Sequence, residues 1–414
     1  MTDLASALAA ALDAELATVD AEVAAAYPGE SGTRQPVHTV YVPADRFDRH
    51  TAAAWGEQAL ETFDAYASDL TAIWGAPADL QGRVRDKLSA EPIEDLRIDF
   101  EDGYGLRPEA EERAEVARAA TELRAAVAAG TAPPFTGIRF RSFEAATRAR
   151  GVQTLVGFVG ALCAQGGIPA GFVVTLPKVT AAAQVTGLVA VLEALEEEHA
   201  LPAGTLRFEI QVETPQSVLA LDGTSPLPGM IAAGGGRCSG LHYGTYDYSA
   251  SLGIAAEYQS MEHPVADHAK AVMQVAAAGT GVRLSDGSTN VMPVGEPAEV
   301  RAAWTLHGRL VRRSLERGLY QGWDLHPAQL PSRFTAVFAF FRDSAESAAR
   351  RLRDYRERSE SGFMDEPATA VALAGFLLRG VDCGALDGEW VEKQTGATTA
   401  ELATIARRPT PAPR

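Results

Sequence analysis

Short runs of apolar and β-branched residues alternate along the chain with longer helix-forming segments. Segments such as 109–129 and 180–198 carry apolar residues at helical spacing, as expected of helices that pack one face on a sheet. Strands that alternate with helices pair in parallel, and eight of them favour a TIM (β/α)8 barrel of the α/β class. The eight predicted strands are residues 37–42, 96–100, 137–141, 171–176, 206–212, 240–243, 289–293 and 320–325.

The rest of the chain is predicted to flank this barrel. Residues 1–36 form a helical arm and a turn-rich linker, residues 37–343 form the catalytic barrel, and residues 344–414 form a helical extension. The extension is either a lid or an oligomer contact, and its Pro-rich end, PTPAPR, is expected to be disordered. An open doubly wound sheet is the rival architecture, but no Gly-rich fingerprint follows the first strand.

Charge and composition limit the classes of molecule that the protein is expected to bind. The formal net charge is -17, which repels the phosphates of nucleic acids and anionic lipid. The three cysteines have no paired spacing, the amino terminus has no basic segment of a signal peptide, and no uncharged run is long enough to span a membrane. We therefore expect a cytoplasmic protein with a small-molecule substrate and no nucleic-acid or membrane partner.

Polar residues follow the predicted strands at their carboxyl ends, which is where TIM barrels carry their active sites. Because these ends meet at one mouth, carboxylates and cations are expected to converge there. The residues, in chain order, are Asp99, Glu101, Asp102, Arg139, Arg141, Lys178, Glu213, Asp247, Asp324 and His326.

Glu213 and Asp247 are the candidate metal ligands. Glu213 ends the fifth strand before a Thr-Pro pair that stops it, and Asp247 lies in the small-residue loop after the sixth strand. Two carboxylates plus water are the oxygen ligands that Mg²⁺ or Mn²⁺ requires. Taken singly, each acid is more simply a helix cap or an ion-pair partner, so the interpretation depends on the pair.

Two further pairs of residues leave a question open. Glu101 and Asp102 either orient metal-bound waters or cap the helix that begins near Pro108. Arg139 and Arg141 both carry the guanidinium geometry suited to a carboxylate, and because they are two residues apart in a predicted strand the choice between them stays open.

Seven sequence motifs, taken in order, resemble the HpcH/HpaI aldolase and citrate lyase superfamily. They are VYVPADR, DFEDGYG, IRFR, LPKV, VETPQSV, GTYDYSASLGI and GWDLHPAQL, and they cover about residues 40–330. The resemblance implies a TIM barrel in which Glu213 and Asp247 bind Mg²⁺. It also implies that Arg139 binds the substrate's carboxylate or carbonyl, and that Glu101 and Asp102 support the metal-bound waters.

The implied reaction is that of a Mg²⁺-dependent carbon–carbon lyase or aldolase. It cleaves or forms a 3-hydroxy acid, or its coenzyme A thioester, through a stabilised enolate, with a short 2-oxo acid such as glyoxylate or pyruvate as one component. Arg141 and Lys178 are further candidates for binding the anionic substrate. Asp324, His326 and His242 are candidates for the general base. We also expect a homo-oligomer.

Two other functions compete with this prediction. In the first, Lys178 forms a Schiff base with the substrate, as in a class I aldolase. In the second, the barrel binds a metabolite without turnover, because a fold alone does not guarantee chemistry.

Overall fold

In the computed structural model, which describes residues 2–30, 32–357 and 366–406, eight parallel strands form the centre of the protein. They pair in the order β7-β6-β5-β4-β3-β2-β1-β8, and a parallel bridge between Ser285 and Gln321 brings the two edges together. The predicted TIM barrel is therefore confirmed. The strands are β1 His38–Pro43, β2 Asp95–Asp99, β3 Phe135–Arg139, β4 Phe172–Leu176, β5 Arg207–Val212, β6 Cys238–Tyr243, β7 Arg283–Ser285 and β8 Gly322–Asp324.

Helices surround this sheet and extend beyond it at both ends of the chain. Several begin with proline in their first turn, where its missing N–H costs nothing. Over the described residues the α-helices are α1 Thr2–Ala26, α2 Thr51–Trp74, α3 Ala78–Ala90, α4 Glu109–Ala129, α5 Arg148–Ala164, α6 Ala182–Glu198, α7 Pro215–Val218, α8 Leu227–Ala233, α9 Thr245–Ser251, α10 Pro264–Ala277, α11 Pro297–Glu316, α12 Leu330–Glu357, α13 Pro367–Asp382, α14 Gly388–Thr395 and α15 Thr399–Ala406.

The seventh strand lies elsewhere than predicted. Residues 289–293 are in a loop, and β7 is the three-residue segment Arg283–Ser285. Leu284 is its one apolar residue and packs against the outer core, whereas the polar residues on either side of it break any hydrophobic run. The prediction of strand 289–293 was wrong because a strand this short and polar has no apolar signature.

The two faces of the barrel differ in polarity. Residues that point outward, such as Val40, Ile98 and Ile210, are fully buried in one hydrophobic cluster with the surrounding helices. The interior is polar, since Arg97 of β2 crosses it to bond Glu209 of β5 at 2.8 Å. Because successive side chains of a strand alternate between faces, each strand contributes one apolar and one polar row.

A second hydrophobic cluster joins the carboxyl-terminal helices to the barrel. It contains Leu88 of α3, Trp304 of α11, Phe338 of α12, Leu377 of α13 and Leu402 of α15. Residue 344, where the extension was predicted to begin, lies inside α12. The division into arm, barrel and extension stays a prediction.

The two ends of the chain differ in their packing. Helix α1 is exposed at nearly every described position, so the predicted helical arm lies away from the barrel's core. The predicted disordered tail, PTPAPR, lies outside the described residues. Within the part of the chain that the structure describes, no helix combines the length and the apolar character needed to cross a membrane.

Candidate active site

Glu213 immediately follows β5 at the carboxyl-terminal mouth of the barrel, and only 1% of its surface is exposed. The backbone N–H of Lys178 donates to one carboxylate oxygen at 2.8 Å, and the side-chain amide of Gln211 donates to the other. Both donors are neutral groups. A Cβ at Gly244 would stand 2.9 Å from a Glu213 oxygen, so the glycine leaves room for this carboxylate.

Burial raises the pKa of the Glu213 carboxyl to about 8. The charges of Asp247 and Glu101 act in the same direction as burial, whereas those of Lys178 and Arg139 oppose the shift. A carboxylate in a protein interior is stable only beside a compensating cation. Glu213 is therefore a group that would bind a proton or a metal ion tightly.

Lys178 lies at the centre of four acidic residues. Its ammonium nitrogen is 2.5 Å from an oxygen of Glu101, 2.8 Å from Asp102 and 3.8 Å from Asp247, while its backbone holds Glu213. Its positive φ of 51° is uncommon for a side-chain-bearing residue, and it turns the chain after β4 toward these acids. We call Glu101, Asp102, Glu213 and Asp247 the carboxylate cluster.

The protonation of Lys178 follows from these contacts. Burial alone would favour the neutral amine, but the charges of Glu213 and Glu101 and the hydrogen bonds to Asp102 and Glu101 outweigh it and raise the pKa of the ammonium group. A protonated amine is not a nucleophile, so this environment does not favour a Schiff base.

The carboxylate cluster has the chemistry that a hard divalent cation needs. Asp247 lies in the first turn of α9 with its side chain partly exposed, and it shares Lys178 as a neighbour with the buried Glu213. Among the described residues, no three His, Cys, Asp or Glu side chains are arranged to hold a metal ion together. Two carboxylates completed by water are nevertheless a usual Mg²⁺ site, so the donor set fits the implied metal.

Arg139 faces the carboxylate cluster from β3. Both its Nε and one Nη donate to Asp99 at 2.7 Å, its other Nη lies 3.5 Å from Glu101, and its guanidinium stands over the ring of Tyr41. Arg141, the alternative, lies beyond the end of β3. It is bonded to Glu112 of α4 and to the carbonyl of Gly105, so of the two arginines only Arg139 reaches the cluster.

The three residues proposed as bases lie away from the carboxylate cluster. Asp324 is fully buried on the outer face of β8, where it is bonded to His38 and Arg333. His326 accepts a hydrogen bond from the backbone of Ala328 at the start of a short helical turn. His242 points into the barrel and contacts Glu209 at 3.0 Å. The assignment of a base to these residues stays a prediction that their present contacts do not favour.

Nearly the whole chain matches a known protein family. Residues 16–410 match the model of the family described as Domain of unknown function (DUF6986). The chain belongs to this family. No curated protein matches it.

Solved structures that are similar to this chain include proteins with the names that the sequence motifs predicted. The lead(II) complex of Haloferax volcanii malate synthase is similar with a TM-score of 0.50 and 14% identity, over 89% of this chain and 98% of that one. The citrate lyase beta subunit of M. tuberculosis, complexed with oxaloacetate and magnesium, gives 0.42 and 19%, over 74% and 98%. An HpcH/HpaI aldolase/citrate lyase family protein of Burkholderia cenocepacia gives 0.40 and 14%, over 76% and 94%.

The sequence analysis named Asp99 without a role and missed Gln211. Asp99 holds Arg139 in a two-point contact, and Gln211 contacts both Arg139 and Glu213. The signal was present in β5, where Glu209, Gln211 and Glu213 alternate with apolar residues. Such alternation indicates a strand whose inner face is polar.

Proposed function

We propose that this chain is a divalent-metal-dependent carbon–carbon lyase or aldolase, with a short 2-oxo acid such as glyoxylate or pyruvate as one component. The other product or substrate would be a 3-hydroxy acid or its coenzyme A thioester. The observation that carries the proposal is Glu213, a fully buried carboxylate with neutral hydrogen-bond donors at the carboxyl-terminal mouth of a TIM barrel. Lys178, which bonds Glu213 through its backbone, has its ammonium nitrogen 3.8 Å from Asp247. The order of the seven motifs supports the proposal independently.

Glu213 and Asp247 would hold Mg²⁺ or Mn²⁺, because both are hard oxygen donors. A bound cation would supply Lewis-acid stabilisation of the negative charge that develops on an enolate oxygen. Two protein ligands leave room for the adjacent carboxylate and carbonyl oxygens of a 2-oxo acid.

The chain's own cations would bind and orient the substrate. Arg139 keeps one Nη directed toward Glu101 while Asp99 fixes the rest of the guanidinium, so the group is preorganised. Lys178 adds a second positive charge within the cluster. Together these charges would attract a carboxylate that the net charge of -17 otherwise repels.

Glu101 is the side chain best placed to move a proton. Its carboxylate is bonded to Lys178 and buried, and burial raises its pKa although the charges of Arg139 and Lys178 oppose this. A carboxyl with a raised pKa is a more effective general base or acid near neutral pH than an exposed one. Asp102 is more exposed, and Lys178 lowers its pKa against the effect of burial.

The deciding experiment follows product formation by mass after incubation of glyoxylate, pyruvate, oxaloacetate and acetyl-CoA in combinations. We expect turnover that disappears with EDTA and returns with Mg²⁺ or Mn²⁺. Glu213→Gln and Asp247→Asn should abolish both turnover and metal binding by calorimetry. Glu316→Gln, which changes an exposed acid paired with Arg312, is the matched control. Full turnover in chelator would refute the proposal.

A further inference from the structure

A cavity opens at the opposite end of the barrel from Glu213. Its volume is about 1620 Å³. Its lining includes the first residue of six consecutive strands, which places it at their amino-terminal ends. These residues are Asp95, Phe135, Phe172, Arg207, Cys238 and Arg283.

Two arginines of this cavity have no acidic partner. Within the described residues, no carboxylate oxygen lies within 4.0 Å of Arg207 or Arg283. Arg207 has one long contact, 3.4 Å to the carbonyl of Gly236, and Arg283 donates to the carbonyl and hydroxyl of Thr33. The chain has 54 acidic and 37 basic side chains, so an arginine without an acid is unexpected unless its position serves another purpose.

The other arginines of the same cavity are neutralised. Arg97 is bonded to Asp95 and Glu209, and Arg34 to Glu91. Uncompensated positive charge is therefore confined to Arg207 and Arg283. Both residues line the cavity. Burial lowers the pKa of Arg283 and so does the charge of Arg207, although Glu30 and Asp95 oppose this.

We infer that this cavity is a second ligand site, for a small organic polyanion whose charge is carried by phosphate or by several carboxylates. Guanidinium groups bind both kinds of oxyanion through paired hydrogen bonds. Apolar residues, including Ile168, Val173, Ile231 and Val282, provide a wall for the ligand's carbon atoms. A site that combines apolar walls with a few polar groups is typical of metabolite pockets.

The amino-terminal arm forms part of the same site. Tyr27, which follows α1, and the linker residue Gly29 line the cavity, and the backbone N–H of Gly29 donates to the carbonyl of Gly279. Thr33, further along the linker, is bonded by Arg283 itself. A ligand at Arg207 and Arg283 would therefore contact the segment that joins α1 to the barrel.

Calorimetry with pyrophosphate and with citrate, each titrated without added metal into the full chain, tests this inference. We expect saturable binding of at least one anion, and this binding should weaken as the salt concentration is raised. Preference for pyrophosphate would identify phosphate as the ligand's charged group, and preference for citrate would identify carboxylates. Arg207→Gln should weaken binding at least tenfold. It is the decisive variant, because Arg207 is exposed and makes a single long hydrogen bond.

Arg83→Gln is the matched control, since Arg83 also bonds one backbone carbonyl, that of Gly384, and lies outside the cavity. It should bind the anion as the unchanged protein does. Arg283→Gln should weaken binding similarly, but it also releases Thr33. Binding of neither anion at millimolar concentrations, or unchanged affinity in Arg207→Gln, overturns the inference. Glu213→Gln should leave this binding intact, which separates it from the proposed catalytic function.

Discussion

Replacing Glu213 with glutamine should change how the stability of the protein depends on pH. The pKa of this carboxyl rises from 4.5 to about 8 in the folded protein, chiefly because of burial. A group whose pKa is higher in the folded state stabilises the protein while it is protonated. Its contribution is complete below pH 4.5 and is lost as the pH rises toward 8. Glutamine keeps the size of the protonated side chain and cannot ionise.

The expected change in the free energy of unfolding follows from the pKa shift of Glu213. One pKa unit corresponds to about 1.4 kcal/mol, so between pH 5 and pH 8 the single carboxyl should reduce the free energy of unfolding by roughly 3–4 kcal/mol. The Glu213→Gln variant lacks this term. The difference in stability between the two proteins should therefore change by that amount across the same range.

Urea unfolding at pH 5, 6, 7 and 8 in the presence of EDTA measures this difference directly. Added Mg²⁺ should restore the stability of the unchanged protein at pH 8 and have no such effect on the variant, because a ligand that binds the folded state stabilises it. Parallel stability curves for the two proteins would refute the reasoning. They would mean that Glu213 is already ionised at pH 5 or is solvated in the folded protein.

Three further substitutions test other parts of the site. Arg139→Lys keeps the charge but loses the two-point contact with Asp99, so kcat/KM for the proposed reaction should fall by about 10²-fold; an unchanged value would remove Arg139 from the mechanism. Borohydride reduction with a 2-oxo acid should leave Lys178 unmodified by mass spectrometry, since its pKa is raised, and a reduced adduct at Lys178 that Lys178→Met abolishes would revive the Schiff-base route. Asp324→Asn leaves His38 and Arg333 buried without their carboxylate and should cost about 3–5 kcal/mol in urea unfolding; full stability with lost turnover would instead mark Asp324 as the base.

The sequence predicted the fold well wherever a strand packs its outward side against helices. An apolar row such as Phe208, Ile210 and Val212 is recognisable by itself, because helices cover it. The segment Arg283–Ser285 has no such row, so a more apolar loop nearby was chosen in its place. Strand length and register depend on pairing with neighbours, which one sequence does not contain.

The site was predictable at the level of residue types but not of directions. The acids that end β2 and β5 were identified from their positions, and the structure brings them together around Lys178. Whether a side chain points into the barrel depends on alternation within a strand whose exact end is unknown. Arg141 and Asp324 illustrate this, because the first lies beyond its strand and the second faces the helices.

Charge balance inside the barrel distinguishes Glu213 from the other buried acids. Its strand, β5, directs Glu209, Gln211 and Glu213 into the interior. Burial raises the pKa of Glu209, but Arg97 and His242 outweigh it and hold this carboxylate in its charged form. Gln211 is neutral and needs no partner charge. Glu213 is just as buried, and within the described residues no ammonium or guanidinium group lies within 4.0 Å of it. A buried charge without a counter-charge costs several kcal/mol. The Glu213 carboxylate is therefore expected to bind either a proton or a cation. In the part of the chain that the structure describes, each of the other buried acids has a lysine or arginine nitrogen within 4.0 Å. We therefore propose that Glu213 is the buried acid that binds an exchangeable cation.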